Sequence, residues 1–224
     1  GDGTVHYFAK DASRNSSYYY DEDGLGLKIT EFSSGSYKMS DDVGNVMTFI
    51  NGFLTTIADA NGNEIQIHYL NEDGSQNSNG HPSSYNSRIN KVVQKNNGGT
   101  EITVATFGYS TTKWLQTITD AEGNVYTINT EGGRLKSISR KEPGDSATTV
   151  IAQYGPASTQ MSYAYDAEAG YGIAFTYGSD KKVSSYYEIT SISSPEKPGS
   201  VVEISHLNSG QTLYRDYGKN RTKD

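Results

Sequence analysis

Residues 59–69 read Asp-Ala-Asn-Gly-Asn-Glu-Ile-Gln-Ile-His-Tyr, and this stretch indicates the fold of the whole chain. Its first five residues favour a tight turn, because Asp accepts backbone N–H groups and Gly adopts the positive φ that closes the turn. Its last six residues alternate in polarity, which is typical of a β-strand that presents its side chains to the two faces in turn. The stretch therefore predicts a hairpin turn followed by a strand.

The pattern Asp-x-x-Gly-Asn occurs three times, at residues 41–45, 59–63 and 120–124. A second pattern, Leu-x-Thr-Ile-x-Asp, precedes two of the copies, at residues 54–59 and 115–120. Such self-similarity predicts a chain of hairpin repeats of about 20 residues each, and one hairpin cannot bury its own face, so neighbours must stack. We predict a structural role in the repeat turns for Asp41, Gly44, Asp59, Gly62, Asp120 and Gly123.

Composition favours the same fold class. Only 33% of the 224 residues are hydrophobic, while Gly contributes 24 residues and Tyr 18, which favours strands joined by short turns over a helical protein. We expect an all-β, antiparallel meander of hairpins, curled into a barrel-like or solenoid-like sheet. We expect one domain over 1–224, with a pre-repeat region at 1–40, the clearest repeats at 41–140 and degenerate repeats at 141–224. The only candidate for a helical turn lies at 167–169.

A polar segment at residues 71–87 interrupts the repeats. It holds Asn, Ser and Gly with little apolar content, so it is interpreted as a mobile loop or an insertion.

Charge and residue types exclude several function classes. The formal charge of -7 argues against nucleic acid as a partner, because a phosphate backbone attracts a basic surface. Zero Cys excludes disulfides, thiol catalysis and Cys-based zinc sites, and no apolar run is long enough for a transmembrane helix. No nucleophile elbow or phosphate-binding Gly loop is present, so we predict no cofactor and no catalytic residues. The start at Gly1 without Met is interpreted as that of an excised fragment.

The repeated motifs resemble the Rhs/YD-repeat family, whose repeat has the form Gly-Arg-Leu-x-x-Ile-x-Asp-x-x-Gly-Asn followed by a Tyr-containing strand. Residues 133–138 match its first half, and residues 54–69 and 114–126 match its later part. The opening stretch, at 5–25, is similar to the region before the repeats in large wall-associated Rhs-type proteins of Gram-positive bacteria. The resemblance implies a secreted, cell-surface parent protein with a structural or binding role, and it implies no catalytic residues.

Calcium binding is an alternative interpretation of the turns. Asp59, Asn61 and Asn63 have the spacing that starts an EF-hand loop, but Glu64 and Leu70 stand where that loop needs Gly and a bidentate Glu. Turn chemistry is therefore favoured, although Asp21, Glu22 and Asp23 form a second group of candidate ligands.

The aromatic residues are the better candidates for binding. Six of them could stack on sugar rings or anchor a protein partner, namely Tyr18, Tyr19, Tyr20, Trp114, Tyr186 and Tyr187. Cross-strand packing explains the same residues and is favoured. Three functions remain open: a structural spacer in a bacterial surface protein, a module that binds glycan or protein, and, least favoured, a glycan-active enzyme. Expected partners are cell-wall glycan, other segments of the parent protein, or a second copy paired edge to edge.

Overall fold

The computed structural model describes residues 5–13, 17–76, 80–157, 160–193, 201–206 and 211–216. These residues form 18 β-strands, which confirms the all-β prediction. The strands are β1 Phe8–Ala9, β2 Tyr18–Asp21, β3 Lys28–Ser33, β4 Ser36–Ser40, β5 Val46–Ile50, β6 Phe53–Ala58, β7 Glu64–Leu70, β8 Arg88–Lys95, β9 Glu101–Tyr109, β10 Leu115–Asp120, β11 Val125–Glu131, β12 Arg134–Lys141, β13 Thr149–Ala157, β14 Gln160–Asp166, β15 Tyr171–Tyr177, β16 Val183–Ile189, β17 Val201–His206 and β18 Thr212–Asp216.

The chain divides into two compact units. Unit 1 comprises Gly1–Gly108 and Ile118–Glu122, and unit 2 comprises Tyr109–Thr117 and Gly123–Asp224. In unit 1 each strand from β1 to β9 pairs antiparallel with the next. In unit 2 the same holds from β11 to β18. The predicted antiparallel meander is thus confirmed. Among the described strands, β1 does not pair with β9 in unit 1, and β11 does not pair with β18 in unit 2. Each unit is therefore an open sheet.

The strand register of unit 1 separates apolar from polar side chains. One face carries a cross-strand row of apolar residues, made of Tyr19, Ile29, Met39, Met47, Ile57 and Ile65. The neighbouring row, one residue along each strand, faces the other way and is mostly polar: Tyr18, Thr30, Lys38, Thr48, Thr56 and Gln66. A shift of one residue reverses the face of a whole strand, so this separation fixes the register.

Two kinds of turn alternate along unit 1. β5 and β6 are joined by Asn51 and Gly52, whose φ values of 52° and 82° match the positive pair of a type I′ turn. β4–β5 and β6–β7 are instead joined by the five-residue loops 41–45 and 59–63. Because neighbouring strands run in opposite directions, the two-residue turns lie at one end of the strands and the loops 41–45 and 59–63 lie at the other.

The core of each unit is thin, as the low hydrophobic content requires. In unit 1 the strand side chains Val93 and Tyr69 belong to this core and are 2% and 6% exposed. The Tyr69 hydroxyl donates to the Leu54 carbonyl at 2.7 Å, and its ring meets that of Phe53 edge-on, with centroids 5.4 Å apart. In unit 2 Ile189 is fully buried.

The polar insertion packs against the sheet over its described part, residues 71–76 and 80–87. Pro82 is almost fully buried, and its carbonyl accepts from the Asn51 side-chain amide at 2.9 Å. The Tyr69 N–H donates to the Gly80 carbonyl at 2.7 Å. Gly80 has a φ of 66°, and a Cβ at that position would overlap the His68 ring, so the site requires glycine.

The candidate helical turn at 167–169 is instead part of the turn that joins β14 to β15. The N–H groups of Glu168 and Ala169 both donate to Asp166 Oδ1, at 3.0 and 2.8 Å. A carboxylate that accepts two successive N–H groups stabilises a turn, and the chain then enters β15 directly. Within the described ranges, no helix has the length and apolar character needed to cross a membrane.

Candidate functional site

The Asp59 carboxylate organises the loop 59–63. Its Oδ1 accepts from the N–H groups of Asn61 and Asn63 at 2.8 and 2.9 Å, and its Oδ2 accepts from the Asn63 side-chain amide at 2.8 Å. The hydrogen bond from the Asn63 side chain, followed by its backbone N–H, holds the pKa of Asp59 below its ordinary value. Both oxygens of the carboxylate are thus used within the turn.

Asp41 repeats this arrangement. It accepts from the N–H groups of Val43 and Asn45 at 3.0 and 2.8 Å, and from the Asn45 side-chain amide at 2.6 Å. The fourth residue of each motif copy has a positive φ, which is 99° at Gly44, 83° at Gly62 and 85° at Gly123. Asp120, the first residue of the third copy, is the last residue of β10. Asp41, Gly44, Asp59 and Gly62 therefore lie at hairpin turns, and Asp120 and Gly123 lie where β10 leads into β11.

The same backbone loop occurs four more times without the sequence motif, at residues 71–75, 96–100, 110–114 and 178–182. In each, as in 59–63, the first N–H donates to the fifth carbonyl, and the fourth N–H donates to the first carbonyl. The fourth residue again has a positive φ, at Gly74, Gly99, Lys113 and Lys181. The motif Asp-x-x-Gly-Asn does not identify these loops, because none begins with Asp and in two of them Lys replaces the fourth glycine.

The loop between β2 and β3 also forms around a carboxylate. Asp21 Oδ1 accepts from the N–H groups of Asp23 and Leu25, and its Oδ2 accepts from that of Leu27, at 2.8 to 3.1 Å. The Leu25 N–H contributes most to lowering the pKa of Asp21. Asp23 lies 3.1 Å from Nδ1 of His6. In the part of the chain that the structure describes, no three His, Asp or Glu side chains gather in a way that could hold a metal ion.

Two of the predicted tyrosines come together in a cleft of about 500 Å³ at the five-residue-loop end of β2, which we call the tyrosine cleft. Tyr18 and Tyr20 share a face of the sheet, and their ring centroids are 6.2 Å apart at an interplanar angle of 51°. Lys28 places its ammonium 5.8 Å from the Tyr18 ring centroid, and Asp21 and Asp42 also line the cleft. Aromatic faces beside charged hydrogen-bonding groups suit a polar ligand with an apolar face.

Tyr19 points to the opposite face, as the alternation of side chains along β2 predicts. It belongs to the apolar cross-strand row and lines a separate cleft of about 490 Å³ with Phe8, Ile29 and Phe49. The ammonium of Lys10 lies 5.1 Å from its ring centroid. The three consecutive tyrosines therefore do not form one platform.

The remaining aromatic candidates lie in unit 2. Trp114 is the fifth residue of the loop 110–114 and is 69% exposed. Tyr186 and Tyr187 are half-buried neighbours in β16. Tyr186 pairs with Phe175 of β15 and Val202 of β17, and Tyr187 pairs with Ala174 of β15 and Val201 of β17. Such positions favour packing against side chains of the neighbouring strands.

One cleft contains no residue that the sequence singled out. It has a volume of about 550 Å³, lies at the two-residue-turn end of unit 1, and is bounded by the insertion. We call it the insertion cleft, and its side chains come chiefly from Ser34, Tyr37, Asn51, Ser83, Ser84 and Tyr85. A lone aromatic residue within a polar segment, Tyr85, was the sequence signal that could have indicated it.

Comparison with solved structures matches the chain to large toxin complexes. The crystal structure of TcdB2-TccC3-TEV and the Photorhabdus luminescens Tc holotoxin pore each show 10% identity over 95% of this chain, with a TM-score of 0.39. The chain spans only 14% of the length of those toxin chains. A porin-like protein from Bacteroides uniformis shows 12% identity, with 94% of this chain and 86% of that chain covered and a TM-score of 0.29. No protein-family model and no curated protein matches the chain.

Proposed function

We propose that this chain is a non-catalytic structural module of a secreted, Rhs-type bacterial surface protein. One observation carries the proposal: the five-residue loop keeps its backbone hydrogen bonds and the positive φ of its fourth residue where its first residue is no longer Asp. Asp begins the loops 41–45 and 59–63, whereas Asn, Ser or Gly begins the four loops that lack the motif. If the loops served a ligand or a reaction, the carboxylates would be their shared feature. Their shared feature is the turn, which serves the stacking of hairpins.

A loop exchange tests this proposal. The sequence of residues 96–100, Asn-Asn-Gly-Gly-Thr, replaces that of residues 59–63 in the otherwise unchanged chain. Because both segments form the same loop, we expect the far-UV circular dichroism to be retained and the melting temperature to fall only slightly. Replacing 59–63 with five alanines is the matched control, since it removes the positive-φ glycine and should unfold the hairpin. Steady turnover of a glycan by the wild-type chain would contradict the non-catalytic role.

A second candidate function is the binding of glycan or protein through aromatic side chains. The tyrosine cleft and the exposed indole of Trp114 favour it. A sedimentation assay at physiological salt tests binding of the chain to purified bacterial cell walls, beginning with Gram-positive walls. Binding that is lost in Tyr20→Ala or Trp114→Ala, both predicted to fold, would support this function. Binding that survives both substitutions would exclude these side chains as the anchor.

A further inference from the structure

The insertion cleft has the construction of a ligand site, and we propose that it binds a neutral oligosaccharide. Its residues are distinct from the six aromatic candidates, so the proposal goes beyond the structural role and does not depend on the tyrosine cleft. The volume of about 550 Å³ lies within the range of small-ligand pockets, about 300–1,000 Å³. A protein partner would instead need a surface of about 800 Å² on each side.

The turn that contains Tyr85 fixes the backbone at this residue while its side chain stays exposed. Its side chain is 94% exposed, yet the backbone around it is fixed by serine hydroxyls. Ser87 Oγ accepts from the N–H groups of Ser83 and Ser84 at 3.1 and 3.2 Å, and the Ser87 N–H donates to the Ser84 carbonyl at 3.0 Å. Ser83 Oγ donates to Asn71 Oδ1 at 2.6 Å and ties the turn to the start of the insertion. Such pre-organisation lowers the entropy lost on binding.

The opposite side of the insertion cleft is formed by the sheet itself. Tyr37, in β4, is 36% exposed and lines both the insertion cleft and the adjoining apolar cleft. Asn51 anchors the insertion by donating from its amide nitrogen to the Pro82 carbonyl. The Asn51 amide oxygen lies near Gly35, at 3.9 Å from the position that a Cβ on Gly35 would occupy. Gly52 also lines the cleft, and a Cβ at this position would meet no atom within 4 Å.

The chemistry of the lining selects the ligand class. The side chains are phenols, aliphatic hydroxyls and one amide, and none of the lining residues carries a charge. Hydroxyl and amide groups both donate and accept hydrogen bonds, as the hydroxyls of a sugar require. The electron-rich faces of Tyr rings attract the partly positive C–H groups of a sugar face. A net charge of -7 disfavours a polyanionic glycan. A neutral oligosaccharide meets all of these conditions.

Isothermal titration calorimetry on the full chain tests the proposal. The probes are cellotetraose and chitotetraose, with a galacturonate tetramer as the anionic comparison. We expect saturable binding of at least one neutral probe and none of the anionic one. Tyr85→Ala and Tyr37→Ala should each weaken that binding about tenfold or more, as the loss of a central aromatic anchor does. Tyr214→Ala, which removes a tyrosine that is 65% exposed in unit 2, is the matched control and should change affinity less than twofold.

Further variants keep the outcomes distinct. Tyr85→Ala removes an almost fully exposed side chain, so it should fold normally, and Tyr37→Phe keeps the ring if Tyr37→Ala fails to fold. Loss of binding in Tyr20→Ala, with binding retained in Tyr85→Ala, would instead place the site in the tyrosine cleft and overturn the proposal. The proposal is overturned if a folded wild-type chain binds neither neutral probe, if only the galacturonate tetramer binds, or if Tyr85→Ala binds as tightly as the wild type.

Discussion

Lys181 should destabilise the protein through its backbone conformation. It is the fourth residue of the loop 178–182, with a φ of 64°, and its side chain is exposed. An L-residue with a side chain loses about 1–2 kcal/mol in this left-handed region, whereas Gly adopts it freely. Glycine also raises the conformational entropy of the unfolded chain, which favours unfolding by about 0.4–1 kcal/mol and offsets part of the benefit. Lys181→Gly should therefore stabilise the fold by about 0.5–1 kcal/mol.

The assay is thermal and urea unfolding followed by far-UV circular dichroism. For a chain of this size, 1 kcal/mol corresponds to a shift of about 2–4 °C, so we expect the melting temperature to rise by roughly 1–4 °C. The hydrogen bonds of the loop are kept, because the Lys181 N–H donates to the Gly178 carbonyl at 3.0 Å and its carbonyl accepts from the Gln160 side chain at 2.8 Å. Both involve only the backbone of residue 181.

Two controls separate the backbone effect from that of charge. Lys182→Gly removes the same charge one residue later, where φ is not positive, and should leave stability unchanged or lower it. Gly99→Lys makes the reverse change in the loop 96–100, at a φ of 82° with open space around it, and should lower stability by a similar amount. If Lys181→Gly failed to raise stability, or if Lys182→Gly raised it equally, the argument from φ would be wrong.

Four further outcomes follow from single contacts. Asp59→Ala should lower the urea unfolding free energy at neutral pH, because folding lowers the pKa of Asp59 and its carboxylate therefore stabilises the fold at pH values above the ordinary pKa of 3.8. The difference in unfolding free energy between the variant and the wild type should shrink as the pH of the titration falls below that value. Tyr69→Phe removes the donor to Leu54 and should lower the urea unfolding free energy by about 0.5–1.5 kcal/mol. Ile189→Ala should lower it by about 2–5 kcal/mol, since the side chain is fully buried, with Ile189→Val the milder control. Gly80→Ala should release the insertion from His68, and limited proteolysis should then cleave within 71–87 while the wild type resists.

The strands and the first loops could be predicted because their signals are local. Side chains alternate along a strand, which places Tyr19 on the face opposite Tyr18 and Tyr20 in β2, and the turn-plus-strand pattern of residues 59–69 corresponds to the observed loop 59–63 and β7. The four other loops do not match the motif, because the backbone tolerates Asn, Ser or Gly at the first position and even Lys at the fourth. Sequence patterns identify preferred residues, whereas the hydrogen-bonded turn accepts several at a modest cost.

The clefts could not be predicted, because each depends on contacts between distant segments. Asp42 reaches the tyrosine cleft from the next hairpin along, and Asn51 meets Pro82 across 31 residues. The composition of 71–87 indicated only a polar segment. The burial of Pro82 and the fit of Gly80 against His68 follow from the path of the folded chain, which a single sequence does not specify.

The two ends of the unit 1 hairpins differ in what they can offer a ligand. In the loop 59–63, both oxygens of the Asp59 carboxylate accept hydrogen bonds from the turn itself. In the two-residue turn Asn51-Gly52, the Asn51 side-chain amide instead donates to Pro82 of the insertion. Extra loop length raises the cost of closure only slowly, so an insertion at this end is tolerated without disturbing the strands. The two-residue-turn end of unit 1 can therefore accept an inserted segment that adds binding side chains, and Tyr85 lies at this end.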